Sequence, residues 1–266
     1  MSDANYYDRF AEQKQEQPRK EKERNTLTGE TGLSIAKVFG YMFIGLAITA
    51  VISLGLAAIF RFVWGINSDA GINETLAANA AIVLIVLLIV SAIGLIVLSI
   101  VVPITVARGK HSVLVPSIIY SVLMGVMLST ICIFVPWSLL GLTFGVTSLV
   151  FGLMALIALL SKGRLNGLAI AAMGLFIGAG ILSLVLWIMI LCGVFISTLY
   201  WIVSLATFAA VMLITIWDMA RIKAIAQKGE MTTNISLYCA FVLYNDFIYI
   251  FLRILRIVLI VFAKKN

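Results

Sequence analysis

Seven apolar runs of membrane-crossing length follow one another along this chain, at residues 36–62, 80–106, 113–135, 138–160, 168–191, 195–223 and 236–262. A helix needs about 20 mostly apolar residues to cross the roughly 30 Å hydrocarbon core of a bilayer. Lipid offers no hydrogen bonds, so each run has to satisfy its backbone internally, as a helix does. The reading is an all-α membrane protein with about seven transmembrane helices, forming one domain over residues 36–263. Composition agrees: 12% of the residues are charged, against about 25% in a soluble domain.

Residues 1–35 differ. Basic and acidic side chains alternate there, from Arg9 and Glu12 to Glu23 and Arg24. Such a segment has too little apolar surface to pack, so it reads as a disordered charged cytoplasmic tail. Its charged part is too long for a signal peptide, and no small-residue cleavage site follows.

The net charge of +7 comes from short loops rather than from a basic patch interleaved with aromatics, which excludes nucleic acid as a partner. One set of loops carries Arg108 and Lys110, Lys162 and Arg164, then Arg221, Lys223 and Lys228; the opposite set carries only Arg61. Basic loops stay cytoplasmic, so the N-terminus is expected there. Seven crossings would put the C-terminus outside, which Lys264 and Lys265 mildly oppose. A last segment that enters without fully crossing is the alternative. Compact loops and a plain tail fit a bacterial inner membrane.

No hydrolase, kinase or nucleotide-binding signature is present, so the chain does not read as an enzyme. His111, the single histidine, lies in a basic loop without a positioned partner. Cys132, Cys192 and Cys239 lack metal or redox spacing and read as packing residues. Two glycine faces, Gly141, Gly145 and Gly152, then Gly174, Gly178 and Gly180, are expected to let helices approach closely.

The chemistry gathers at the end of the chain. Asp218 lies near the end of the sixth run and Asp246 inside the seventh. A carboxylate at bilayer depth costs roughly 2.5–3.5 kcal/mol on insertion scales, so it faces the protein interior or water. Position 232, midway between the two, falls in the turn near residues 229–234. Both aspartates are therefore expected at similar depth, about 15 to 20 Å along their helices from the turn. If both face the seam they can share one proton, a pH-sensing arrangement. They would also offer hard oxygen ligands to a passing Ca²⁺. The competing reading has Asp218 only solvate a helix end near Arg221 and Lys223. Arg253 and Arg256 continue the Asp246 face, a stripe that places this helix at the centre of a bundle; snorkelling of the arginines to the interface competes with that.

These residues resemble the Bax inhibitor family, also called the transmembrane Bax inhibitor motif family. Leu243-Tyr244-Asn245-Asp246-Phe247-Ile248-Tyr249-Ile250-Phe251 is similar to the family's LY-x-DFI-x-x-F signature. Trp217-Asp218-Met219-Ala220 is similar to its aromatic-Asp-Thr-Gln stretch, departing at Met219 and Ala220. The stretches from Gly125 to Ser129 and from Thr143 to Gly152 resemble family helices too, and the likeness runs from Lys37 to Phe262. The resemblance implies a seven-helix bundle with the last helix central and a pH-sensitive calcium leak, with no cofactor and Ca²⁺ as the transported ion. It implies that Asp218 and Asp246 form the proton-sharing pair and that Arg256, with Arg253 nearby, is a gating candidate. The second run holds no charged residue, so a charge latch on that helix is missing.

Two other function classes remain at this level. A regulatory protein that modulates a membrane protease or another channel would use the charged tail to dock. An intramembrane aspartyl protease also needs two aspartates, but that class carries Gly before the second one, where Asn245 stands here. The expected partners are membrane lipid, calcium ions and other membrane proteins.

Overall fold

The computed structural model describes residues 4–63, 74–108, 112–161, 166–191 and 197–263, with side-chain surroundings over 29–62, 82–108, 112–161, 167–191 and 198–262. His111, Cys192, Lys110, Lys162, Arg164, Lys264 and Lys265 lie outside the described residues. The described part is all helical. Its seven elements are α1 (Ala4–Val63), α2 (Glu74–Arg108), α3 (Leu114–Phe134), α4 (Trp137–Leu160), α5 (Asn166–Leu191), α6 (Ser197–Gln227) and α7 (Thr233–Ala263). Each corresponds to one apolar run of the sequence. The first begins at Ala4, inside the charged segment, while its membrane-length stretch is Gly29–Phe62. Among the described residues, six helices are long and apolar enough to cross a bilayer. The seventh, α7, has 31 residues, about 46 Å, but carries Asp246, Arg253 and Arg256.

Local chemistry explains the helix ends. Pro136 follows α3, and the residue before a proline is pushed out of helical geometry; Val135 is accordingly extended, at φ −96° and ψ 133°. The carbonyls freed at this end are taken by Arg61 of α1. Its Nε donates to Ile133 O at 2.9 Å, and its Nη2 donates to Cys132 O at 2.8 Å and Val135 O at 2.9 Å. The C-terminus of α4 is treated alike: Lys223 Nζ donates to Leu159 O at 2.6 Å and Ser161 O at 2.9 Å. Each cation meets the negative end of a helix dipole. The α6–α7 turn uses Gly229 at φ +70°, the left-handed geometry that glycine accepts freely. Thr232 then caps α7, its Oγ1 accepting from Ile235 N at 3.3 Å.

Among the helices, α7 holds the centre, packing against α1, α2, α3, α4 and α6. The main core gathers on it: Leu243, Tyr244, Phe247, Ile250 and Ile254 meet Val38 and Met42 of α1, Phe151 and Met154 of α4 and Ile222 of α6. The Phe247 ring stands against Phe151 and Phe144, with centroids 5.4 Å and 5.6 Å away. A close approach occurs between α1 and α3, where a Cβ on Gly125 would stand 2.7 Å from Ile52 Cβ and 3.0 Å from the Thr49 carbonyl oxygen. The glycine faces singled out in the sequence behave otherwise. A Cβ at Gly141, Gly145, Gly152, Gly174, Gly178 or Gly180 would meet nothing within 4 Å. Those faces are open, and the expectation that they seat neighbouring helices within the chain is corrected.

The outer surface carries large apolar side chains at high exposure, including Ile93, Ile96, Leu184 and Trp187. Such a belt is unfavourable in water and at home among acyl chains. The protein is an integral membrane protein.

Candidate functional site

The stripe on α7 points at a single neighbour. Asp246 interacts electrostatically with Asp218 and lies beside the Thr215 hydroxyl, both on α6. Arg253 Nη1 donates to Ser204 Oγ on α6 at 2.8 Å. The guanidinium of Arg256 lies over the Tyr200 ring, 4.8 Å from its centroid. As α7 advances from 246 to 256, its partners on α6 recede from 218 to 200, the register of an antiparallel pair. Asp218, Asp246, Arg253 and Arg256 thus share one seam. The arginines face a hydroxyl and a ring there. Arg253 is half-buried while Arg256 is exposed.

The two aspartates are not equally placed along their helices. Asp218 precedes the end of α6 by nine residues, and Asp246 follows the start of α7 by thirteen. At 1.5 Å per residue these are about 14 Å and 20 Å. They still interact electrostatically across the α6–α7 pair. Asp218 lies well inside α6 rather than at its end, one helical turn from Arg221, which interacts with it electrostatically and stands 5.6 Å from the Trp217 ring centroid.

The Asp246 carboxylate is the more isolated of the two. Its Oδ2 is fully buried and has no hydrogen-bond partner among the described residues. A buried polar oxygen left unpaired costs about 1–3 kcal/mol, more when charged.

A cavity of about 240 Å³ reaches this place from the side of the turn, lined by Asp218, Arg221, Glu230, Tyr238 and Cys239 with apolar neighbours. Glu230, an exposed turn residue, was not legible as part of a site because turns carry acidic residues for solvation alone. Cys239 is buried and free, as is Cys132, in keeping with packing roles.

Behind the aspartates, a set of polar contacts ties α7 to α1 and α3. Tyr244 Oη and Thr49 Oγ1 share a hydrogen bond of 2.6 Å. Thr49 Oγ1 also lies 3.0 Å from the carbonyl oxygens of Gly45 and Ser121. Tyr120 Oη donates to Asn245 Oδ1 at 2.6 Å, and Asn245 Nδ2 donates to Phe241 O at 2.9 Å. Residues 244 and 245 thus anchor the helix on one side, immediately before Asp246 faces α6 on another. The sequence signals these partners only through the signature around Asp246; Thr49, Tyr120 and Thr215 carry no mark of their own.

The family described as Inhibitor of apoptosis-promoting Bax1 matches residues 33–264. The inner membrane protein YbhL of Escherichia coli strain K12 is 30% identical over 229 residues, covering 84% of this chain and 89% of that protein. An uncharacterized protein of Rickettsia prowazekii is 30% identical over 141 residues, covering 52% of this chain and 58% of that one. No solved structure matches the chain.

Proposed function

This chain belongs to the Bax inhibitor-1 family, and from that premise we propose that it is a pH-sensitive calcium leak channel whose sensor is the Asp218–Asp246 pair. One observation supports the reading: Asp246 of α7 interacts electrostatically with Asp218 of α6, and one oxygen of Asp246 is buried without a hydrogen-bond partner among the described residues. With a proton between them, the carboxyls hold α6 against α7 and the path is closed. When that proton leaves, two negative charges face each other at low dielectric and the seam is driven apart. The same pair then offers carboxylate oxygens to Ca²⁺, too few for a tight resident site and suited to an ion in passage. The 240 Å³ cavity, with Glu230 and Asp218 on its wall, is the approach from the turn side. Arg253 and Arg256 keep the far half of the α6–α7 seam in register while the aspartate end moves.

The bias of basic residues towards the α6–α7 turn supports a cytoplasmic N-terminus. That the Escherichia coli relative is named an inner membrane protein supports a bacterial inner membrane.

The test is Ca²⁺ flux from liposomes across pH. Flux is expected to rise with pH as the shared proton is lost. Asp246→Asn removes one member of the pair, and its flux is expected to lose most of its pH dependence. Asp218→Asn is expected to do the same. Unchanged pH profiles in both variants would remove the sensor from the proposal. Removal of residues 1–34 is expected to leave flux intact, whereas a docking regulator would lose its activity with that segment.

A further inference from the structure

On another face of α7 from the aspartates, a cavity of about 390 Å³ lies between α1, α3, α4 and α7. That volume is in the range of a ligand site. Its walls are almost wholly apolar, with Thr49, Ser53 and Cys132 the exceptions. Along α1 it runs from Leu46 to Leu54, a slot about 12 Å long in the direction of the helix axis. It opens sideways, because Leu54, Gly141 and Phe144 on its wall are exposed on the belt that faces acyl chains.

The end of the slot near the α3–α4 turn has a different character. Trp137, exposed at the start of α4, is part of the wall there. Aromatic rings of this kind sit at the headgroup level of a bilayer. The Arg61 guanidinium lies 5.7 Å from the Trp137 ring centroid. Its bonds to Cys132, Ile133 and Val135 fix its position and use three of its five N–H donors. A fixed cation at headgroup depth therefore stands over one end of an apolar slot that runs into the hydrocarbon. One common molecule has that distribution of charge and apolar length: a phospholipid.

We propose that this cavity seats one acyl chain of a membrane glycerophospholipid, with the lipid phosphate at Arg61. The lipid belongs to the leaflet away from the α6–α7 turn. Phe247 and Phe251 of α7 line the slot, so the bound chain packs against the helix that carries Asp246.

The test uses the full-length protein in phosphatidylethanolamine and phosphatidylglycerol vesicles doped with phosphatidylglycerol bearing a diazirine midway along one acyl chain. After irradiation, labelled residues are mapped by mass spectrometry. Label on Phe144, Phe247 and Phe251 is expected to exceed that on the exposed α5 residues Leu184 and Trp187 several-fold. Uniform labelling of all lipid-facing helices would overturn the proposal, whatever the variants do. Gly141→Phe places a ring in the slot from a position where a Cβ meets nothing within 4 Å, and is expected to cut the slot labelling several-fold. Gly145→Phe, equally unobstructed but off the slot, is expected to leave it unchanged; equal loss in both overturns the proposal. A diacylglycerol carrying the same diazirine chain should label the slot several-fold less, and equal labelling would refute the phosphate contact. A disulfide formed between copies of Phe144→Cys in the bilayer would assign the slot to a second copy of the chain instead.

Discussion

Glycines of equal count do unequal work in this bundle. Gly125 allows α1 and α3 to touch, whereas Gly145 faces open space. Gly125→Ala is expected to destabilise the protein by about 1–3 kcal/mol, the usual cost of overpacking, because one of the atoms in the way is the Thr49 backbone oxygen and cannot rotate aside. Gly145→Ala is expected to be neutral or slightly stabilising. Reversible unfolding in mixed micelles compares the two, and equal losses would refute the distinction. Tyr244→Phe removes the bond to Thr49 while keeping the ring. A hydrogen bond between transmembrane helices averages about 0.6 kcal/mol, and a loss of that order is expected in the same assay. Little of this was legible beforehand. Glycine spacing on a helix shows that close approach is available, and only the neighbour's position shows whether it is used. Asp246 was legible because a carboxylate amid apolar residues has to be explained; Thr49 was not, because a threonine hydroxyl returns its hydrogen bond to its own helix at little cost, and Tyr120 was not, because its partner Asn245 lies 125 residues away.

Two helices end against a cation carried by another helix. Arg61 of α1 closes α3, and Lys223 of α6 closes α4. Each joins a local requirement, unsatisfied terminal carbonyls, to a tertiary contact. Lys223→Met is expected to cost about 0.3–2 kcal/mol, the span reported for cations at helix C-termini, and to raise amide exchange in the last turn of α4 ahead of its middle. An unchanged last turn would show that solvent replaces the cation without loss. From the sequence both residues read as loop charges that set orientation. That reading and the capping role are compatible, but the second needs the end of one helix to lie beside the flank of another. The α6–α7 hairpin shows the reverse balance. The turn near residues 229–234 is legible in the sequence, and the structure puts Gly229 in left-handed geometry and Thr232 at the start of α7 there, since backbone geometry and capping are local.

For the whole molecule, enclosure is graded from α7 outwards. The last helix packs on five others, whereas α5 packs on α6 and carries exposed apolar residues along its length. Stability follows local contact density, so α5 amides are expected to exchange faster than α7 amides in hydrogen-exchange mass spectrometry in detergent; α7 opening first would contradict a central last helix. The sequence alone determined the class and the number of helices, because lipid permits only internally bonded backbone and that constraint is written in run length. It also determined that Asp246 needs a partner, because the cost of a charge in hydrocarbon does not depend on the fold. Tertiary structure decided which residues become that partner's surroundings. It set Asp218 and Thr215 against Asp246, sent Arg253 and Arg256 to Ser204 and Tyr200 on the same helix, and left the glycine faces of α4 and α5 uncovered. Those outcomes depend on how helices rotate and slide against one another, and nearly uniform apolar helices leave rotation and register to a few close contacts that only the assembled bundle contains.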